Sequence, residues 1–163
     1  MKYIKLFATG GTFDKEFNEI NGDLEFQKTN LYELLELGRC KLDIKIETLM
    51  MIDSLKMSDS ERNYIVEKCK KENTHKIVIT HGTDTMTKTA KLLAKNIKNK
   101  TIIFTGAMIP YKFGASDGLF NLGSALTATQ TLNNGIYIAI NGNIFEWNKV
   151  KKNREKGIFE LIN

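Results

Sequence analysis

Apolar positions along this chain follow two periods in alternation, and that alternation predicts the architecture. Residues 3–7, Tyr3-Ile4-Lys5-Leu6-Phe7, form an apolar run closed abruptly by Ala8-Thr9-Gly10-Gly11-Thr12. A run of this length ending in two glycines predicts a buried parallel strand that opens into a tight turn. The same reading applies to residues 76–80, 101–105 and 135–140, while Ile44, Ile46 and Leu49 alternate through a strand that runs out at Asp53-Ser54. Helical spacing fills the intervals. Asn30 precedes Leu31, Leu34, Leu35 and Leu37, and Gly38 closes them; Ser58 with Glu61 forms a capping box ahead of Ile65, Val66 and Cys69. Two more amphipathic stretches cover 85–97 and 119–132. Strands alternating with helices require right-handed crossovers, which predicts an α/β, doubly wound, mainly parallel sheet with helices on both faces. Residues 13–23 are polar and aperiodic, with Asn21-Gly22 as a turn signal, and read as a mobile loop.

At 163 residues the chain is expected to form one domain, residues 1–163, large enough to fold without disulfides or metals. Its 42% hydrophobic and 26% charged content fits a soluble globular protein. Cys40 and Cys69 stand far apart in lysine-rich surroundings that read as helical, which fits a reducing compartment. The first strand begins almost at Met1, leaving no room for a signal peptide, and the longest apolar runs are far too short to span a bilayer. The expectation is a cytoplasmic protein with no membrane partner. A net charge of +5 does not imply nucleic-acid binding, because Lys70, Lys71, Lys95 and Lys98 read as solvated helix faces. His75 and His81 make no ligand cluster with the cysteines, so no metal is expected.

In an open parallel sheet, ligands bind outside the carboxyl ends of the strands. Three strands here end in similar turns: Thr9-Gly10-Gly11-Thr12, Thr80-His81-Gly82-Thr83-Asp84 and Thr105-Gly106-Ala107. Two threonine hydroxyls, Thr12 and Thr83, and the Asp84 carboxylate are thereby expected around one cleft. Thr83 or Asp84 could instead cap the helix that follows. A threonine hydroxyl is a weak nucleophile until its proton is taken, and a lysine beside a carboxylate can serve where no histidine base is present. Gly114-Ala115-Ser116-Asp117-Gly118 has the spacing of a nucleophile elbow, but that motif needs a strand before it, and residues 110–113 read as loop.

These stretches, with Ile79-Thr80-His81-Gly82-Thr83-Asp84-Thr85-Met86, Thr105-Gly106-Ala107-Met108, Ser116-Asp117-Gly118, Asn121-Leu122 and Gly135-Ile136-Tyr137, resemble the asparaginase/glutaminase family of bacterial type, the threonine amidohydrolases. The match runs through nearly the whole chain in the family's order and looks most like short members without the family's C-terminal domain. The resemblance implies that Thr12 is the nucleophile, that Thr83 and Asp84 are the second threonine and the carboxylate holding the substrate's α-ammonium, and that Lys152 is the catalytic lysine. Lys151 is the alternative if the register slips by one. Ser54, after Asp53, would bind the α-carboxylate; Ala107 would offer its carbonyl to the leaving nitrogen; Gly11 and Gly82 would line the substrate. Phe17 stands where the family brings in a tyrosine hydroxyl, and Leu55 where a polar group follows the serine. The implied activity is hydrolysis of L-asparagine, a small amino-acid substrate, to aspartate and ammonia in a homo-oligomer without cofactor. Glutamine or D-asparagine hydrolysis, an amino-acid-binding module without turnover and half of a tRNA-dependent amidotransferase stay open as alternatives.

Overall fold

The computed structural model describes residues 3–162. Strands β1 (Ile4–Gly10), β2 (Lys15–Phe17) and β3 (Leu24–Phe26) lead into helix α1 (Leu31–Leu37) and strand β4 (Ile44–Ile52). Helix α2 (Asp59–Lys71), strand β5 (Lys76–Thr80), helix α3 (Met86–Asn96) and strand β6 (Thr101–Thr105) follow. The chain continues through α4 (Gly118–Thr131), β7 (Gly135–Ile140), β8 (Asn143–Glu146), β9 (Val150–Asn153) and β10 (Ile158–Leu161).

Six strands form the main sheet in the order β4-β1-β5-β6-β7-β8, parallel throughout except for the antiparallel edge strand β8. The period-two rule sorts the central strands onto two cores. Ile77, Ile79, Ile102, Phe104 and Ile138 pack with Ile65 and Cys69 of α2 and Ala90 and Leu93 of α3. On the other face Leu6, Ala8, Val78, Ile103 and Ala139 pack with Leu31 and Leu34 of α1 and Leu122, Ala125 and Leu126 of α4. The predicted doubly wound α/β sandwich is therefore what forms, and the Ser58–Glu61 capping box starts α2 as its spacing required. Burial pushes the Cys69 thiol up to about 12, which leaves it inert.

Two expectations need correction, and one element was not foreseen. Residues 13–23 are not a loop throughout: Thr12–Asp14 forms a 3₁₀ turn and β2 pairs antiparallel with β3, with Asn21-Gly22 in the hairpin connection. Cys40 lies beyond the end of α1 rather than in a helix. The basic stretch after residue 149 is a second antiparallel hairpin, β9 with β10.

The sheet order fixes where a ligand can enter. The connection from β1 crosses one face through α1, while that from β5 crosses the opposite face through α3. Neighbouring strands whose connections leave to opposite faces open a crevice at their carboxyl ends. Thr12 and Thr83 stand just past the ends of those two strands.

Candidate active site

Hydrogen bonds stitch the carboxyl edge of the sheet together. Gly11 N–H donates to Ile52 O at 3.0 Å, and His81 N–H to Thr105 O at 2.9 Å. Thr9 Oγ1 donates to Thr80 O at 2.7 Å, and Thr105 Oγ1 to Ala139 O at 2.8 Å. Each turn is thus pinned to the strand beside it. Gly11 has φ of 78°, and a Cβ there would fall 2.4 Å from Gly82 N. A Cβ on Gly82 would in turn meet Ser54 Oγ at 2.5 Å. Only glycine permits these approaches, so the turns after β1 and β5 meet backbone to backbone and the Ser54 side chain packs on Gly82. Thr12 and Thr83 leave that contact one residue later.

The predicted polar set closes around Thr83. Lys152 Nζ donates to Thr83 Oγ1 at 2.7 Å and to Asp84 Oδ1 at 2.9 Å. Neither Thr83 nor Asp84 caps α3, whose N-cap is Thr85. Lys152 reaches this pair because the hairpin's register turns it inward: directly opposed residues share a face, and Lys152 opposes the buried Phe159. Lys151 points the other way, 61% exposed and 3.7 Å from Glu160, because the pleat turns it from the face that Lys152 shares with Phe159. Arg154 Nε also approaches Asp84 Oδ1, at 3.4 Å.

The remaining predicted residues fall into two groups. Ser54 is buried in a 3₁₀ turn and packs on Gly82, and Ala107 is buried at the end of β6. Asp53 accepts from Leu55 N–H at 3.0 Å and from Lys15 Nζ at 2.5 Å, and the Lys15 ammonium holds its carboxyl below the usual range. Phe17 and Leu55, by contrast, are 53% and 60% exposed, and neither offers the site a polar atom. Thr12 is half-buried at the head of its turn.

Supporting groups that had no role assigned from the sequence hold these residues. Asp117 accepts from Met108 and Ile109 N–H groups at 3.0 and 3.1 Å, and Asn121 Nδ2 donates to Gly106 O at 2.9 Å. Their i, i+4 spacing on α4 was legible; that both face the Ala107 turn was not. Asp14, fully buried, accepts from Asn30 N–H at 2.7 Å and Thr29 Oγ1 at 3.1 Å, and burial raises its carboxyl to about 6. His81 Nδ1 lies 2.8 Å from Gly82 O and Nε2 2.8 Å from Thr89 Oγ1. Burial lowers His81 to about 4, so the ring is neutral, donates through Nδ1 and accepts from Thr89. Beneath it Arg62 donates to Thr89 Oγ1 at 2.5 Å and Thr85 Oγ1 at 3.1 Å. Arg62 stands in the same helical register as Ile65, Val66 and Cys69, a signal that places it inward from sequence.

The family profile described as "Asparaginase, N-terminal" matches residues 3–159. L-asparaginase 2 of Escherichia coli (strain K12) is 30% identical over 98% of this chain and 49% of its own length. A probable periplasmic L-asparaginase of Haemophilus influenzae is 30% identical over 91% of this chain and 46% of its own length. The crystal structure of a probable cytoplasmic L-asparaginase from Campylobacter jejuni superposes with a TM-score of 0.80 at 30% identity, over 93% of this chain and 50% of that one. The chain spans about half the length of these relatives. Among the described residues no helix is long and apolar enough to cross a membrane.

Proposed function

Because the chain belongs to the asparaginase N-terminal family, we propose that it hydrolyses the side-chain amide of L-asparagine, with Thr12 as the nucleophile. The observation that carries the reading is the Lys152 ammonium, 2.7 Å from Thr83 Oγ1 and 2.9 Å from Asp84. A hydroxyl, a lysine and a carboxylate in series form a proton path of the kind amide cleavage needs. Thr12 Oγ1 attacks the amide carbon as its proton passes to Thr83 Oγ1; the Lys152 ammonium gives a proton to the amide nitrogen and takes the Thr83 proton in its place, and the C–N bond breaks. Ammonia leaves, and water hydrolyses the resulting ester to free aspartate and restore Thr12. Glycine-rich turns at the strand ends bring backbone N–H groups close enough to stabilise the oxyanion.

In this reading Ser54 takes the α-carboxylate, Asp84 the α-ammonium, and Ala107 O the leaving nitrogen. Gly11, Gly82 and Asp53 shape the pocket floor. Self-association and a cytoplasmic location belong to the same proposal; the Campylobacter relative's name supports the latter, and sedimentation and cell fractionation check the two.

The test is ammonia release from L-asparagine, L-glutamine and D-asparagine side by side. Thr12→Ala and Lys152→Met should each lower the L-asparagine rate about 100-fold or more. Their melting temperatures should stay within about 4 °C of the parent. Asparagine-induced thermal stabilisation without ammonia above the Thr12→Ala control would leave a binding module and sink the hydrolase. Faster release from glutamine or D-asparagine would reassign the substrate.

A further inference from the structure

Arg62 is 2% exposed, yet among the described residues no carboxylate stands within ion-pair distance of it. Every acceptor it has is neutral. One terminal nitrogen donates to Thr89 Oγ1 and, at 3.3 Å, to Met57 Sδ. The other donates to Ser54 O at 3.3 Å, Met57 O at 3.2 Å and Thr85 Oγ1 at 3.1 Å, and Nε has no partner. A desolvated cation of this kind costs free energy that neutral acceptors recover only in part. An apolar residue at this inward position would avoid that cost, as Ile65 and Val66 do one turn on.

Two features tie the charge to the cleft. Thr85 Oγ1 also donates to Ser54 O, at 2.9 Å, so Arg62 and Thr85 grip the same carbonyl from two sides. Through Thr89 the guanidinium fixes the tautomer of His81, whose Nδ1–H holds Gly82 O. One buried cation therefore sets both the Ser54 turn and the Gly82 turn, which touch each other.

We propose that Arg62 is the positioning residue of the carboxylate subsite: it fixes the Ser54 turn and supplies the buried positive charge that an incoming α-carboxylate neutralises. This rests on the amino-acid reading of the site given above. Arg62 does not itself touch substrate; it acts through Ser54 and through the field of an unpaired charge, which is strong where water is excluded.

The test is calorimetric binding of L-aspartate and of its α-amide, which carries an uncharged carboxamide in place of the α-carboxylate. Unmodified protein should prefer aspartate, and Arg62→Gln should shrink that preference about tenfold or more. Arg62→Lys, which keeps the charge but loses the fork, should retain the preference to within about threefold. Equal weakening of both ligands by Arg62→Gln, or no preference in unmodified protein, overturns the inference and leaves the function standing. If Arg62→Gln does not fold, Arg62→Lys decides: retained preference supports the inference, lost preference overturns it. Unmodified protein that binds neither ligand overturns the amino-acid reading and this inference together.

Discussion

Gly11 shows how much one residue can carry. Its φ of 78° and the 2.4 Å a Cβ would leave to Gly82 N are separate demands, one on the backbone and one on space. Gly22 has nearly the same φ, 77°, with nothing within 4 Å of a Cβ. Alanine at Gly22 should therefore cost only the backbone term, about 1 kcal/mol. Gly11→Ala should cost about 2–4 kcal/mol and abolish turnover, because the turns after β1 and β5 must separate. Urea titration of both variants checks the difference; equal losses would mean the close approach relaxes freely. The need for glycine at 10–11 was readable from the sequence, since a strand closing on two glycines calls for a turn. Its partner, Gly82, lies seventy-one positions on and could be found only from the fold.

At the scale of elements, the β9–β10 hairpin decides whether the lysine reaches the site. Val150 and Phe159 are buried in the core with Ile140 and Phe104, and Lys152 opposes Phe159 across the ladder. Phe159→Ala should destabilise the protein by about 3 kcal/mol. Because the hairpin loses its anchor locally, ammonia release should fall more than tenfold even well below the melting temperature. Comparing activity at low temperature with the unfolding curve separates the two effects. Neither this hairpin nor β2–β3 was visible in the sequence. Strands of three or four residues are shorter than a periodicity window, and lysine-rich Val150-Lys151-Lys152-Asn153 carries little strand propensity. The longer central strands and the helices, each of five residues or more, were legible almost to their ends.

Across the whole molecule, two buried groups pull stability in opposite directions with pH. Asp14 rises from 3.8 to about 6 on folding, so the folded state holds a proton the unfolded chain has lost, and stability falls as pH rises through that window. His81 drops from 6.5 to about 4, so the unfolded chain takes up a proton the folded state refuses, and stability falls as pH drops through nearly the same window. Each effect is on the order of 3 kcal/mol over its full range, so the two largely offset. With Asp14→Asn the His81 effect stands alone, so that variant should lose stability as pH falls from about 6.5 to about 4. His81→Gln should instead lose it as pH rises from about 4 to about 6. Denaturation midpoints measured across pH 4–7 check the slopes, and parallel curves for all three proteins would contradict the assignment.

Local pattern was enough for the fold class, the order of the main elements and the three turns that would share an edge. Those follow from local periodicity and from the chirality of crossovers, which act over a few residues at a time. The sequence also put Thr12, Thr83, Asp84 and Lys152 forward, three of them from turn positions and the lysine by resemblance alone. Tertiary structure decided that Lys152 rather than Lys151 faces inward, that Thr83 is held by it rather than spent as a cap, and that Arg62 lies unpaired beneath Ser54. Each of these depends on which side chains from distant segments meet in one dry space. Local pattern says which way a residue faces, but not what waits there.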